Sequence, residues 1–437
     1  MVSSSISKLP AQTPQLPDVL APPPPANSNR TATKPITVLI VVPTLDQGAA
    51  EHGAVELVRI LKLAGHHAIV AARSGRLIGD VIKSGGEFIA LDVASRNPLV
   101  ILRNAIALMR IARQRDCDVI HALGRAGAWS AALAAKQRGI AFVTGWTKGF
   151  SESNPFKRFY NAVMARGDRV VATCDGIADL IHARYGTSRQ RLAVVPPSID
   201  FAAFDPAAVT WERTSALRRA WGLAPETKVI LVTGRIVRRK GHHVVVKAIK
   251  RLKDSGLADF ACVFVGEDRG RATYPGELWD LVLANGLMDH VRMAAPVRDM
   301  PAAYATATVV VSAAIQPEGV QRAILEAQAM ARPVIVSDLA AGPDVVLATP
   351  AVPDNRATGL RCPAGDEEAL AAAVFRLLTM AEPARAAMGR RGRAWVIDRF
   401  DASVAAGRML ALYRELTGRR QQAGRNRVDL SGPDTDL

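Results

Sequence analysis

From residue 36 to about residue 400 the chain repeats one unit: a short aliphatic, β-branched run, then a longer stretch with apolar residues at helical spacing. The first series of runs is ITVLIVVP (36–43), AIVAAR, EFIALDV, DVIHAL, AFVTGW, RVVATC and RLAVVPP. A second series, KVILVTGR, FACVFVGE, VRMAAPV, TVVVSAA and PVIVSD, begins after the turn WGLAPETK. Continuous apolar strands separated by helices need cover on both sheet faces, so the pattern predicts an α/β protein with parallel, doubly wound sheets. Two series of similar size predict two Rossmann-like domains, joined near residues 201–227. A chain of 437 residues is ample for both.

The expected division is 35–204 for the first domain, 205–400 for the second and a last helix over 401–417. Residues 1–34, with LPAQTPQLPDVLAPPPPANSNRTATK, and residues 418–437 are too polar or Pro-rich to bury a core and are predicted to be disordered tails. Ligands of doubly wound sheets bind outside the carboxyl ends of the strands, so two such domains face to face create a cleft there.

The net charge of +16 and pI near 10.2 favour anionic partners: nucleic acid, a phospholipid surface or a phosphorylated small molecule. Basic residues are not interleaved with aromatic ones, so no nucleic acid is expected. No apolar run approaches the ~20 residues of a membrane span, and the N-terminus lacks a signal pattern. These features predict a cytoplasmic protein whose contact with an anionic membrane would be peripheral, at its inner face. The four cysteines (117, 174, 262 and 362) form no C-x-x-C pair, which suits a reduced compartment and argues against a disulfide framework or a zinc site.

Two motifs at predicted strand ends carry chemistry. In GRIVRRKG, Gly234 and Gly241 allow a tight turn, and Arg235 and Lys240, five residues apart, can converge on a diphosphate. A basic loop alone is also what a solvated turn looks like. The second motif, QPEGVQRAILEAQAM, sets two carboxylates, Glu318 and Glu326, eight residues apart across a predicted helix start at Gly319. Free N–H groups and a positive dipole end there would seat a phosphate. Glu326 can accept from ribose hydroxyls and Glu318 from a sugar hydroxyl, so a nucleotide-sugar satisfies every group at once.

GRIVRRKG followed by E-x7-E resembles the signature of the retaining glycosyltransferases of family 4, which have the GT-B fold of two Rossmann-like domains facing across a cleft. DQGAAE (46–51), VVPPSIDFAAFDP, GPDVV (342–346) and TGLRCPAGDEEALAAAV resemble further motifs of that family in the same order. SESNPFKRFYNAVMARGDRVVATCDGIADLI is similar to a bacterial subgroup associated with cell-surface polysaccharide and lipopolysaccharide. The resemblance covers residues 36–417. It implies a nucleoside-diphosphate sugar as donor, with the diphosphate held by Arg235, Lys240, the Gly234 turn and the backbone of Gly319, Val320 and Gln321. It also implies Glu326 on the ribose, Glu318 on the donor sugar, and Gly48 closing from the first domain. The acceptor would be a glycan or lipid-linked molecule. Neither a metal nor a separate cofactor is implied, and the last helix would cross back to the first domain.

Two positions depart from the family pattern. Thr147 stands where a donor-contacting His is usual, with Lys148 beside it and His121 on a neighbouring strand. Gln321 stands where the family carries a Gly, so its side chain would crowd or hydrogen-bond the phosphate. The expected function is therefore glycosyl transfer. The alternative is a catalytically weakened protein that binds a nucleotide-sugar or glycan as a partner module.

Overall fold

The computed structural model describes residues 34–429 except 47, 148–153, 268–272 and 340, with side chains through Arg419. The expected N-terminal tail up to residue 33, Lys148, and the last eight residues of the expected C-terminal tail lie outside the described residues.

Seven strands form the first sheet: β1 (Thr37–Val41), β2 (His67–Ala72), β3 (Glu87–Ala90), β4 (Val119–Ala122), β5 (Ala141–Trp146), β6 (Arg169–Ala172) and β7 (Leu192–Val194). Six form the second: β8 (Lys228–Thr233), β9 (Phe260–Val265), β10 (Val291–Ala294), β11 (Val309–Ser312), β12 (Val334–Ser337) and β13 (Gly359–Cys362). Every pairing is parallel, in the orders β3-β2-β1-β4-β5-β6-β7 and β10-β9-β8-β11-β12-β13. Helices cover both faces, and β4, β5, β9, β11 and β12 are buried along their whole length. That is why these strands read as unbroken apolar runs.

In each sheet the strand order reverses once, between β1 and β4 and between β8 and β11. Chains leaving the sheet at such a point diverge to opposite faces and open a crevice. GRIVRRKG follows β8 and QPEG follows β11, so both motifs border the crevice of the second sheet.

Two elements differ from the sequence expectation. Strand β13, at the edge of the second sheet, was not among the twelve runs: its four residues GLRC include no β-branched residue. The last helix runs from Ala402 to Asp429, past the expected end at 417, because RRQQAGRNR contains helix formers and no proline. That helix inserts Ala405, Met409, Leu412, Tyr413 and Leu416 among the core residues of the first domain. The preceding helix, Glu382–Phe400, instead packs Val396 and Phe400 into the second. Burying each large apolar side chain contributes roughly 1.5–3 kcal/mol, so the chain is anchored on both sides of the crossing at Asp401.

Candidate donor site at the domain interface

The loop after β8 is shaped by glycine. Gly241 has φ +72, and a Cβ there would lie 1.8 Å from the Ala313 carbonyl oxygen, so only glycine lets the loop rest on the end of β11. This turn aims Arg239 and Lys240 at Glu318, and each cation forms an ion pair with one carboxylate oxygen. Glu318 is only 8% exposed, a depth at which a carboxylate needs paired cations. Of the predicted diphosphate ligands, Lys240 thus reaches the site, and Arg235 lies exposed at the start of the same loop. Gly234, with φ +119, turns the chain between β8 and Arg235. Arg239, read in the sequence only as one more basic residue, is the second partner of Glu318.

The helix bearing Glu326 spans Arg322–Ala329, with Gln321 as N-cap. It opens three residues later than the sequence predicted, so Gly319 and Val320 lie in the loop before it rather than in its first turn. The open N–H groups therefore belong to the turn at Arg322, downstream of the predicted Gly319–Gln321 stretch. Gln321 does not cap the helix with its side chain. Its Oε1 accepts from the Ser312 hydroxyl at the end of β11, and Gln321 lines a small hollow together with Glu318 and Gly319.

Glu326 is held on both oxygens. The Tyr304 hydroxyl donates to Oε2 at 2.9 Å, and Arg322 Nε lies 3.5 Å from Oε1. Tyr304 is fully buried, which pushes its pKa well above the usual phenol range, with the Glu326 charge adding to the shift. It is a neutral donor at any working pH. Its hydroxyl also meets Thr233 Oγ1, at the end of β8, at 3.4 Å. Tyr304 sits in PAAYAT, which reads as ordinary core, so no sequence signal marked it.

The first domain closes against this loop. A Cβ on Gly319 would lie 1.9 Å from the Thr147 carbonyl oxygen, so the two backbones are in contact. Val320 packs against apolar residues of both domains. Gly48 is the N-cap of the helix Ala49–Leu63, and His52 on the next turn feels the charges of Arg322 and Glu326. Burial first, and then Arg322, lower the His52 pKa, so the imidazole faces the carboxylate site mostly neutral. His52 was another residue the sequence reading missed, although it directly follows the DQGAAE loop.

His121 is 1% exposed, and its Nδ1 lies 2.7 Å from the Tyr413 hydroxyl of the last helix. Among the described residues its Nε2 has no hydrogen-bond partner, and burial lowers its pKa to about 3. It lines a cavity of about 110 Å³ between the first sheet and the helices Ala49–Leu63 and Ala402–Asp429. Leu57, Leu123, Trp146 and Met409 make that cavity largely apolar, while Thr147, Val320 and Arg322 stand where it meets the domain interface.

Residues 50–203 match the profile of "Glycosyltransferase Family 4" and residues 227–380 that of "Glycosyl transferases group 1". A D-inositol 3-phosphate glycosyltransferase from Catenulispora acidiphila is 32% identical over 321 residues, covering 68% of this chain and 72% of that one. The chain belongs to the family 4 glycosyltransferases. Three further relatives of the same name, from Jonesia denitrificans, Kineococcus radiotolerans and Xylanimonas cellulosilytica, are 31–34% identical, and the matches span 40–59% of this chain but only 42–59% of their length.

The fold of this glycosyltransferase is GT-B. A glycosyltransferase structure from Rickettsia africae superposes with a TM-score of 0.79 at 26% identity, covering 88% of this chain and 99% of that one. Anabaena HepE, crystallised with UDP-glucose, superposes with a TM-score of 0.73 at 18% identity, covering 87% of this chain and 100% of its own, and shares the fold. Among the described residues of this glycosyltransferase no helix is long and apolar enough to cross a membrane.

Proposed function

We propose that this glycosyltransferase moves a sugar from a nucleoside-diphosphate sugar to an acceptor hydroxyl, with retention of anomeric configuration and without a metal. The observation that carries the reading is Glu318 clamped by Arg239 and Lys240 beside the switch point of the second sheet. A buried carboxylate holding two cations supports this reading, because the same cations suit a ligand anion. On this reading the donor diphosphate takes over Lys240 together with Arg235, and Glu318 turns to the hydroxyls of the sugar. The cations then stabilise charge on the departing diphosphate. Glu326, oriented by Tyr304, accepts from the ribose. Gly48 and Thr147 approach from the first domain.

The acceptor of this reading is a glycan or lipid-linked molecule of the cell surface, met at the cytoplasmic face of the membrane. The basic chain favours anionic lipid there, and the largely apolar cavity under Trp146 suits an acceptor with an apolar portion. A second reading, transfer to an inositol phosphate, is favoured by the 32% identical relative that bears that activity in its name.

The test is transfer from UDP-glucose and other nucleotide-sugars to lipid-linked glycan and to D-inositol 3-phosphate, with products identified by mass and anomer by NMR. Glu326→Ala is expected to abolish product, and a chelator to leave the rate unchanged. Donor binding without transfer to any acceptor would favour a weakened protein acting as a nucleotide-sugar-binding partner. An inverted anomer would overturn the retaining mechanism.

A further inference from the structure

At the end of the second sheet remote from the donor loops, a hollow of about 350 Å³ opens between the starts of β11 and β12 and the first turns of the helix Glu382–Phe400. Three arginines line it, Arg332, Arg385 and Arg390, against one carboxylate, Glu382. Arg332 follows Ala331, which holds a left-handed φ of +54. A Cβ on Gly389 would lie 2.0 Å from the Ala331 carbonyl oxygen, so the helix rests on this turn and fixes where Arg332 points.

Arg332 is the unusual member. Its Nε is buried without a partner, and among the described residues its guanidinium makes no hydrogen bond or ion pair. Burial first, and then the charge of Arg385, lower its pKa, while the charge of Glu382 raises it. Arg385 uses one N–H on the Met380 carbonyl at 3.0 Å and has further donors to offer. Arg390 is exposed. A half-buried arginine whose Nε–H is buried and unmet gains from an anion that completes it.

We infer that this hollow is a second anion site, separate from the donor site, built for a phosphate group. Three guanidinium forks around one hollow match the tetrahedral oxygens and double charge of a phosphate better than a single carboxylate. The phosphate belongs either to a small soluble anion or to a lipid headgroup, and the same arginines would hold either.

The experiment uses the full chain carrying Lys240→Ala, so that the donor loop does not contribute. Thermal stability is followed against sodium phosphate, with sodium chloride at matched ionic strength as control. In parallel, sedimentation is measured with phosphatidic acid vesicles and with phosphatidylcholine vesicles. Expected is a phosphate-specific rise in Tm, with apparent affinity weakened at least tenfold by Arg385→Ala or Arg390→Ala. Vesicle binding that depends on phosphatidic acid and on the same two arginines, without a response to free phosphate, would assign the site to a headgroup. Arg332→Met is expected to be at least as stable as the parent without phosphate and to lose the phosphate response, whereas a purely structural arginine would destabilise on removal. No response to either phosphate source, or variants that respond like the parent, would overturn the inference.

Discussion

Asp344 Oδ2, in the second domain, accepts the backbone N–H of Gly176 in the first at 3.1 Å. Gly176 lies in the first turn of the helix Asp175–Tyr185, whose own N-cap, Cys174, offers no side-chain bond. The second domain therefore supplies the missing cap. Burial raises the Asp344 pKa above the usual carboxylate range, more than the Gly176 bond lowers it. The folded state thus holds a proton on Asp344 more tightly than the unfolded one, and the carboxylate costs stability as pH rises through that raised pKa. Asp344→Ala is expected to lose about 1 kcal/mol with the cap. Asp344→Asn should match or exceed wild type at pH 7, and lose that advantage toward pH 4. Denaturation midpoints across pH check both signs.

Glu318 competes with the donor for its cations on the reading above. Glu318→Gln frees Arg239 and Lys240, so UDP alone is expected to bind at least as tightly as to wild type, while turnover of the sugar donor falls by orders of magnitude. Calorimetric titration with UDP, set beside steady-state rates, separates the two effects. Loss of UDP binding in this variant would mean that Glu318 positions the loop instead.

Among the described residues, Tyr304 gives Glu326 its one short hydrogen bond from a side chain. Bonds to charged groups are worth about 1.5–3 kcal/mol. Tyr304→Phe is therefore expected to raise the donor KM roughly tenfold or more, with a smaller change in kcat. Unaltered kinetics would remove Glu326 from the ribose.

Gly319 faces a backbone carbonyl, not a flexible side chain. Gly319→Ala places a methyl group 1.9 Å from the Thr147 oxygen, which cannot yield without parting the domains. The groups proposed for the diphosphate all lie in the second domain, so nucleotide binding should survive. The kcat/KM for transfer should fall by about 100-fold, the scale reached when reacting groups are misplaced by an ångström.

His121 is neutral when folded, with a pKa of about 3 against 6.5 for an exposed imidazole. Between those values the unfolded chain binds the extra proton, so stability falls as pH drops below about 6.5, by at most ~1.4 kcal/mol per pH unit from this group. His242, lowered by burial to about 4, adds to the same trend. His121→Gln, which can still accept from Tyr413, is expected to flatten the acid side of the stability curve without steepening it elsewhere. Thermal scans from pH 4 to 7.5 read it.

The sheets and twelve of their strands were legible because a strand buried on both faces must be apolar throughout, whatever it packs against. The same holds for the loops: GRIVRRKG and E-x7-E are local, and glycine marks where the backbone must turn. β13 escaped because GLRC contains no β-branched residue and so carries too little of that signal. Within the basic loop, Arg238, Arg239 and Lys240 look alike in sequence. The turn ending at Gly241 divides them, sending Arg238 to Glu277 and the Tyr274 ring, and its two neighbours to Glu318.

What the sequence determined by itself is therefore the set of elements and the loops that carry charge. What only the tertiary structure decided is which groups meet. Tyr304 and Glu326 are 22 residues apart, Asp344 and Gly176 are 168, and His121 and Tyr413 are 292. Periodicity reports whether a side chain faces inward, but a buried polar group finds its partner only when two separately formed layers dock.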